Sequence, residues 1–342
     1  MENERMEEPR TTLRFRGPIW TLMLLAPVIG EVLIGSTRLS VLFVLIPEVL
    51  VWGVGALLCR ELARRWQAGW VSLATLGVAL AVGEEFVIQQ TSIAPLPFPG
   101  VNAAYGRWGG VNWVYFLFML GYEAVWVVLT PVSVTEFLFP KKRAGAPWLR
   151  VRGAIACGIG FLLGSRAAWY GWTQVARSRL GAPSYHPPMA LLGAGLAAIA
   201  GLVGLAWLTR RMGKEKTDRR IVPAWAVGAM AAVASTAWLE LLGQNFQTHP
   251  PLSAAQAVGC EIALVLVMLV LFAVWVGSAQ WNAMHEWAMC FGAVLATAVV
   301  SSTSRAGYST ADFVFKNVVD VLALIGLAWL GIRVWKRRQI AS

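Results

Sequence analysis

Charge is scarce in this 342-residue chain. Asp, Glu, Lys and Arg make up only 14% of it, against about a quarter in an ordinary soluble domain. That shortage removes the soluble globular classes from first place. Cysteine is scarce as well: Cys59, Cys157, Cys260 and Cys290 are scattered with no CxxC spacing, which argues against a disulfide framework and a thiolate metal site. Histidine occurs only 3 times. His186 and His249 stand before double prolines and read as turn or cap residues, and His285, beside Glu286 and Trp287, reads as an interfacial anchor. The chain holds no phosphate loop, no GxSxG, no HExxH and no dinucleotide fingerprint.

What the chain has in quantity is apolar sequence. It is 57% hydrophobic with a mean hydropathy of +0.60, the composition of a multi-span membrane protein. Ten runs come near the roughly 20 residues that a helix needs to cross a bilayer: 18–36, 40–58, 70–91, 112–138, 153–175, 188–209, 222–244, 253–279, 283–302 and 312–334. The expected fold is an all-α, polytopic transmembrane helix bundle of about ten spans. Residues 1–17 form a cytoplasmic N-terminal segment, 18–334 a single transmembrane domain, and 335–342 a basic cytoplasmic tail.

The net charge of +11 does not point to nucleic acid. Lys and Arg fall in short clusters between apolar runs, the pattern of cytoplasmic loops that face anionic headgroups. With the N-terminus inside, the cytoplasmic segments hold Arg5, Arg10, Arg14 and Arg16; Arg60, Arg64 and Arg65; Lys141, Lys142, Arg143, Arg150 and Arg152; the six basic residues of Arg210–Arg220; and Arg333, Lys336, Arg337 and Arg338. The outer loops hold only Arg38, Arg107, Arg177, Arg179 and Arg305. This bias places both termini in the cytoplasm of a bacterial-type inner (plasma) membrane, with membrane lipids as the surrounding partners. The opening MENERMEEPR is acidic, unlike the basic start of a cleavable signal peptide, so the first span is expected to remain. Trp20, Trp66, Trp70, Trp108, Trp113, Trp148, Trp225, Trp281, Trp287 and Trp335 fall near span ends, where indoles anchor at the interface.

A faint repeat runs through the second half. Tyr185-His186-Pro187-Pro188 and Thr248-His249-Pro250-Pro251 open the sixth and eighth spans 63 residues apart, and one more such step reaches Asp312. Spans five to ten, within 153–334, therefore read as three related hairpins, a device common in transport proteins.

Against this apolar background the buried-depth acids stand out. Gly83-Glu84-Glu85-Phe86-Val87-Ile88-Gln89-Gln90 puts two carboxylates and two amides near the outer end of the third span. Ionisable residues at such depth are costly and mark function by default. At 1.5 Å of rise per residue, Glu31, Glu48, Glu123, Glu240, Glu261, Arg166 and Asp320 fall in the same outer layer on other helices. They should face a polar cavity near the outer side. Glu85 and Gln89 share one helix face and Glu84 points about 100° away, so the paired acids are expected to address different neighbours. Pro27, Pro47 and Pro131 can free backbone carbonyls for that cavity. Asp312, Lys316 and Asp320 at i, i+4, i+8 read as a self-compensating stripe, and Arg166, with no local acid, as a partner for a glutamate across the bundle.

Spans three and four resemble the core of the CPBP family, the CAAX-processing and bacteriocin-processing intramembrane endopeptidases. That family carries EExxxR on one helix, FxxxH on the next and a later HxxxN or HxxxD. Here Glu84-Glu85-Phe86-Val87-Ile88-Gln89 reads EExxxQ and Phe118-Met119-Leu120-Gly121-Tyr122 reads FxxxY, while no histidine in span five supplies the third motif. The resemblance implies Glu84 or Glu85 as a catalytic base activating water, with a metal or polarised site nearby and Glu123 standing in for a missing ligand.

Three functions remain open on the sequence. One is a glutamate-dependent, peptidase-like hydrolase acting on a membrane-embedded peptide, with a divalent metal as a cofactor such carboxylates could take. Another is a proton- or ion-coupled transporter of a small molecule, with Glu31, Glu48, Gln89, Tyr122, Glu123, Arg166 and Glu261 binding substrate or ion. The third is a structural or assembly subunit of a membrane complex.

Overall fold

The computed structural model describes residues 16–98, 100–140, 146–212, 216–303 and 307–341. Arg5, Arg10, Arg14, Lys141, Lys142, Arg143, Lys214 and Arg305 lie outside the described residues, so their part in the charge bias rests on sequence alone.

Ten helices follow one another: α1 (16–32), α2 (Leu39–Arg65), α3 (Trp70–Ile88), α4 (Trp113–Leu138), α5 (Val151–Arg179), α6 (Met189–Arg211), α7 (Ala224–Phe246), α8 (Ala254–Val276), α9 (Ala283–Thr303) and α10 (Thr310–Ala341). Among the described residues, the nine from α2 to α10 are long and apolar enough to cross a membrane. The one small sheet pairs Arg107–Trp108 with Val111–Asn112 in the loop between α3 and α4. The protein is an all-α, multi-pass membrane bundle. Helices suit that setting because each one satisfies its own backbone donors and acceptors.

Burial sorts the helices into a centre and a belt. The apolar windows of α3 and α4 are 61% buried, whereas those of α5, α6 and α8 are 11% buried and so turn most of their surface to lipid. One core joins α1 to α6, through residues such as Leu22, Trp52, Leu76, Val128, Ala168 and Ala206. A second joins α1 and α4 to α7, α9 and α10, through residues such as Ile29, Phe118, Trp238, Val294 and Leu330. Helices α1 and α4 belong to both, so they form the spine. Helix α5 packs on α2 and α6 on α3, while α7 packs along α9.

The helices begin where local chemistry says they should. Asn112 accepts from the Tyr115 N–H (3.1 Å) to start α4, and Ser253 with Gln256 forms a capping box at α8. At α10, Ser309 and Asp312 exchange bonds of 2.8 and 3.1 Å, and Asp312 also accepts from the Ser40 N–H at 2.8 Å. Asp312 therefore works as a cap that ties α10 to the start of α2. Lys316 pairs instead with Asp320, at 2.6 Å. The tail read as a separate segment from 335 continues α10 to Ala341.

Helix α2 outruns its apolar stretch, reaching Arg65 where hydropathy had suggested 58. The extra turns carry charges that are neutralised in place. Arg60, 0% exposed, pairs with Glu61 and with Glu136 of α4 at 3.1 Å each and lies 3.3 Å over the Trp148 ring. Arg64 reaches Glu136 at 2.7 Å, and Glu61 accepts from the Trp148 and Leu149 N–H groups at 2.7 and 2.9 Å. This knot locks the ends of α2 and α4 to the start of α5.

Helices α1 and α2 touch through backbone. A Cβ added at Gly53 would stand 2.1 Å from the Met23 carbonyl oxygen, which cannot swing away as a side chain would. Gly53→Ala is thus expected to cost about 1–3 kcal/mol by overpacking. A thermal melt in lipid nanodiscs checks this; an unchanged midpoint would refute the contact.

Candidate functional site

Among the described residues, five consecutive helices change their winding; in α5 the segment Gly171–Ala176 holds no acid, and in the other four the change falls beside one. Segments Val28–Val32 of α1, Val49–Gly53 of α2, Glu84–Ile88 of α3 and Glu123–Leu129 of α4 are π-helical, with the backbone bonded five residues back. The bonds Leu33 N–H to Val28 C=O (3.0 Å) and Gln89 N–H to Glu84 C=O (2.9 Å) close two of these wide turns. Each turn sits at an acid: Glu31 lies in the first, Glu48 immediately precedes the second, Glu84 and Glu85 open the third, and Glu123 opens the fourth. Pro27, Pro47 and Pro131 flank three of them, and a proline, having no N–H, interrupts the regular ladder. Wide turns inside helices gather at functional sites.

The effect on the carboxylates is direct. One oxygen from each of Glu84, Glu85 and Glu123 lies within 4.8 Å of the others. Glu84 and Glu85 thus meet in one place, contrary to the expectation that they address different neighbours. That expectation used the angle of a regular α-helix, and the wider turn draws successive side chains toward one side. Glu31 is close enough to feel the charges of Glu48 and Glu85, and the Tyr115 hydroxyl stands near Glu31, Glu84, Glu85 and Glu123.

Glu84, Glu85, Glu123 and Glu48 are 0–3% exposed, and Glu31 is half-buried. Glu85 Oε2 accepts from Thr91 Oγ1 (2.7 Å) and Ser92 Oγ (2.6 Å), and Glu48 Oε1 accepts from Thr37 Oγ1. Among the described residues, both oxygens of Glu123, Oε2 of Glu84 and of Glu48, and Oε1 of Glu85 have no hydrogen-bond partner. None of these five acids is in an ion pair among the described residues. Acids packed together out of water need protons or a cation to neutralise them. Carboxylates and hydroxyls make an all-oxygen donor set, which suits a hard cation such as Mg²⁺, Ca²⁺ or Mn²⁺ and not the nitrogen and sulfur preference of structural zinc.

The centre is roofed. After α3 the chain turns back through Gln90, at φ 62°, and lays Thr91, Ser92, Ile93 and Ala94 over the acids, all buried. Arg107 holds this segment by donating to the carbonyls of Ile93 (2.9 Å), Ala94 (2.7 Å) and Gly110 (2.8 Å). Arg177 donates to the carbonyls of Pro95 (2.8 Å) and Pro183 (3.1 Å). The polar cavity expected near the outer side is a centre of buried acids covered by this segment, because two arginines counted only as loop charges gather the loop's carbonyls. Burial lowers the Arg107 guanidinium from its ordinary value, offset by the nearby Tyr185. Arg107→Gln should lower stability by about 2 kcal/mol, the scale of a charged hydrogen bond. It should also speed hydrogen exchange at Ile93 and Ala94, and unchanged exchange there would count against the staple.

The remaining expected site residues are elsewhere. Gln89 is half-buried, and its backbone N–H closes the third wide turn. Tyr122 stacks between Phe118 (5.5 Å) and Trp126 (5.0 Å) and donates to the Gly30 carbonyl at 2.6 Å, so it braces α4 against α1. Arg166 is exposed, its guanidinium lying 4.3 Å over the ring of Trp169 on its own helix. It does not cross the bundle to a glutamate, because α5 turns that face to lipid and the aromatic ring shelters the charge. Glu240 is exposed, and Glu261 is buried on the wall of a separate cleft. Thr37, Thr91 and Ser92 escaped sequence reasoning, since short polar residues at the end of a span look like loop, and Tyr115 did because an aromatic near a span end reads as an interfacial anchor. The signal for two of them was their position directly after Gln89-Gln90.

Comparison with known proteins returns no match: no family model fits the chain, and neither a curated protein nor a solved structure is significantly similar to it.

Proposed function

We propose that this chain is a cation-coupled carrier of a bacterial-type inner membrane, in which Glu84, Glu85 and Glu123 hold the coupling cation while Glu31 and Glu48 tune it. One observation carries the reading: three buried carboxylates meet within 4.8 Å with oxygens left unpartnered and, among the described residues, no basic residue paired to them. Winding changes beside these acids in α1 to α4 support it, since carriers place ion sites where helices are interrupted. A roofed centre also fits an occluded ion better than a hydrolytic site, which must admit substrate and water.

Gradient-driven uptake of Mn²⁺ or Ca²⁺ into proteoliposomes, with an internal pH dye, tests this reading. Wild-type protein should move a divalent cation or protons, and Glu84→Gln should not. Absence of both fluxes, together with no calorimetric cation binding, would sink it. A second reading is favoured by the same Glu84–Glu85–Glu123 contact: a CPBP-like hydrolase in which Glu85, oriented by Thr91 and Ser92, activates water. Cleavage of membrane-embedded peptides that Glu85→Gln abolishes, without cation flux, would select it.

A further inference from the structure

A cleft of roughly 860 Å³ runs between α3, α4, α7, α8 and α9, on the far side of α4 from the carboxylate centre. Gly121, Ala124 and Val125 face the cleft, while Glu123 between them faces the centre. The walls are almost wholly apolar, built of leucine, valine, alanine, methionine and aromatic side chains. Its charged groups divide by end. At the basic end Arg64 pairs with Glu136 at 2.7 Å, and Glu286 accepts from Ser133 at 2.9 Å.

In the outer half one charged side chain stands on the wall, and that is Glu261 of α8. It is 0% exposed, and neither carboxylate oxygen has a hydrogen-bond partner among the described residues. Close by, the Trp238 indole is also buried with its N–H unpartnered. Its ring lies flat on α4 because residue 121 is glycine: a Cβ there would be 2.4 Å from Trp238 Cζ2. In the outer loop the Tyr105 hydroxyl donates to the Leu252 carbonyl at 3.0 Å, just before α8, and Glu261 lies about two turns into that helix.

An ionised acid in an apolar wall is costly and is neutralised either by a proton or by a cation, so an occupant that binds its ionised form must bring positive charge. It must also fill apolar volume, which a hydrated inorganic ion does not do. A metal ion would find two oxygens here where calcium takes six to eight ligands. A neutral acyl chain would fill the cleft and leave Glu261 unpaired, and an anion would be repelled. A cation with an apolar body meets both requirements.

We propose that this cleft binds a lipophilic organic cation, its positive head paired with Glu261 beside the Trp238 indole and its body held by the apolar walls. The site stands apart from the carboxylate centre and does not rest on the carrier reading; together with that reading it names the class of cargo.

Equilibrium dialysis of tetraphenylphosphonium against the full chain in nanodiscs, with empty nanodiscs subtracted, tests the proposal. Saturable binding at one site per chain is expected, whereas tetraphenylborate, an anion of the same shape dialysed in a separate experiment, should show no saturable site. Glu261→Gln should weaken it at least about tenfold, a step worth about 1.4 kcal/mol, and Glu261→Asp should restore most of it. Binding that does not saturate, equal binding by Glu261→Gln, or equal saturable binding of tetraphenylborate measured by itself would each overturn the proposal. The cation-against-anion comparison uses unaltered protein, so it decides even if a variant fails to fold. Because the readout is binding without flux, its failure is distinct from failure of the carrier reading.

Discussion

Glu123→Gln is expected to remove the cation-dependent stabilisation of this protein and, with no cation added, to raise its melting temperature. The two effects have opposite signs and one cause. Glu123 is 1% exposed, both its oxygens lack protein partners, and it stands within 4.8 Å of Glu84 and Glu85. With a divalent cation at a hundred times its dissociation constant, the unaltered protein should gain about 2.7 kcal/mol. Loss of even a supporting group around a metal site weakens binding by about 10- to 100-fold, and loss of a ligand at least as much. At the same cation concentration the variant would then gain only about 1.4 kcal/mol after a tenfold loss and about 0.4 kcal/mol after a hundredfold one. In the cation-free protein, the glutamine keeps the shape of the side chain and takes one like charge out of a crowded buried site, so that state is relieved. Thermal melts with and without Mn²⁺ or Ca²⁺ measure both halves. An equal cation-dependent shift in the two proteins would place the cation elsewhere.

Arg60→Leu should be the most damaging single change at the opposite end of the bundle. The guanidinium is fully buried, contacts Glu61 and Glu136 at 3.1 Å and lies 3.3 Å over Trp148. Glu136 retains Arg64, and Glu61 retains the Trp148 and Leu149 N–H groups, but the Glu61 carboxylate loses its contacting cation. Removing one partner of a buried pair costs about 3–5 kcal/mol, because the other charge stays behind. Adding Glu61→Gln to Arg60→Leu should therefore recover part of the loss. If the double variant is as unstable as the sum of the single ones, the pair is not coupled as the structure places it.

The class of this protein was open to reading because membrane spans are specified locally. Twenty apolar residues cannot stay in water and a helix needs no partner to satisfy its backbone, so the ten segments and the cost of Glu84 and Glu85 followed from the sequence alone. Pro27, Pro47 and Pro131 were also visible, and their position beside the acids pointed to interrupted helices. What the sequence could not rank was which of many acids at one depth would meet. Glu123 joins Glu84 and Glu85, Glu261 faces a different cleft, Glu240 is exposed and Arg166 lies on an aromatic ring at the lipid face. Depth along a helix is fixed by counting residues. Direction around it depends on how each helix is rotated by its neighbours and on where its winding widens. Those are decided by packing between segments far apart in the chain, as when Tyr122 reaches the Gly30 carbonyl or Arg107 closes the loop over Ser92. The sequence by itself thus determined a helical membrane bundle carrying costly buried acids. Only the tertiary structure decided that some of them share a centre and one stands alone in an apolar cleft, because convergence is a property of contacts between helices.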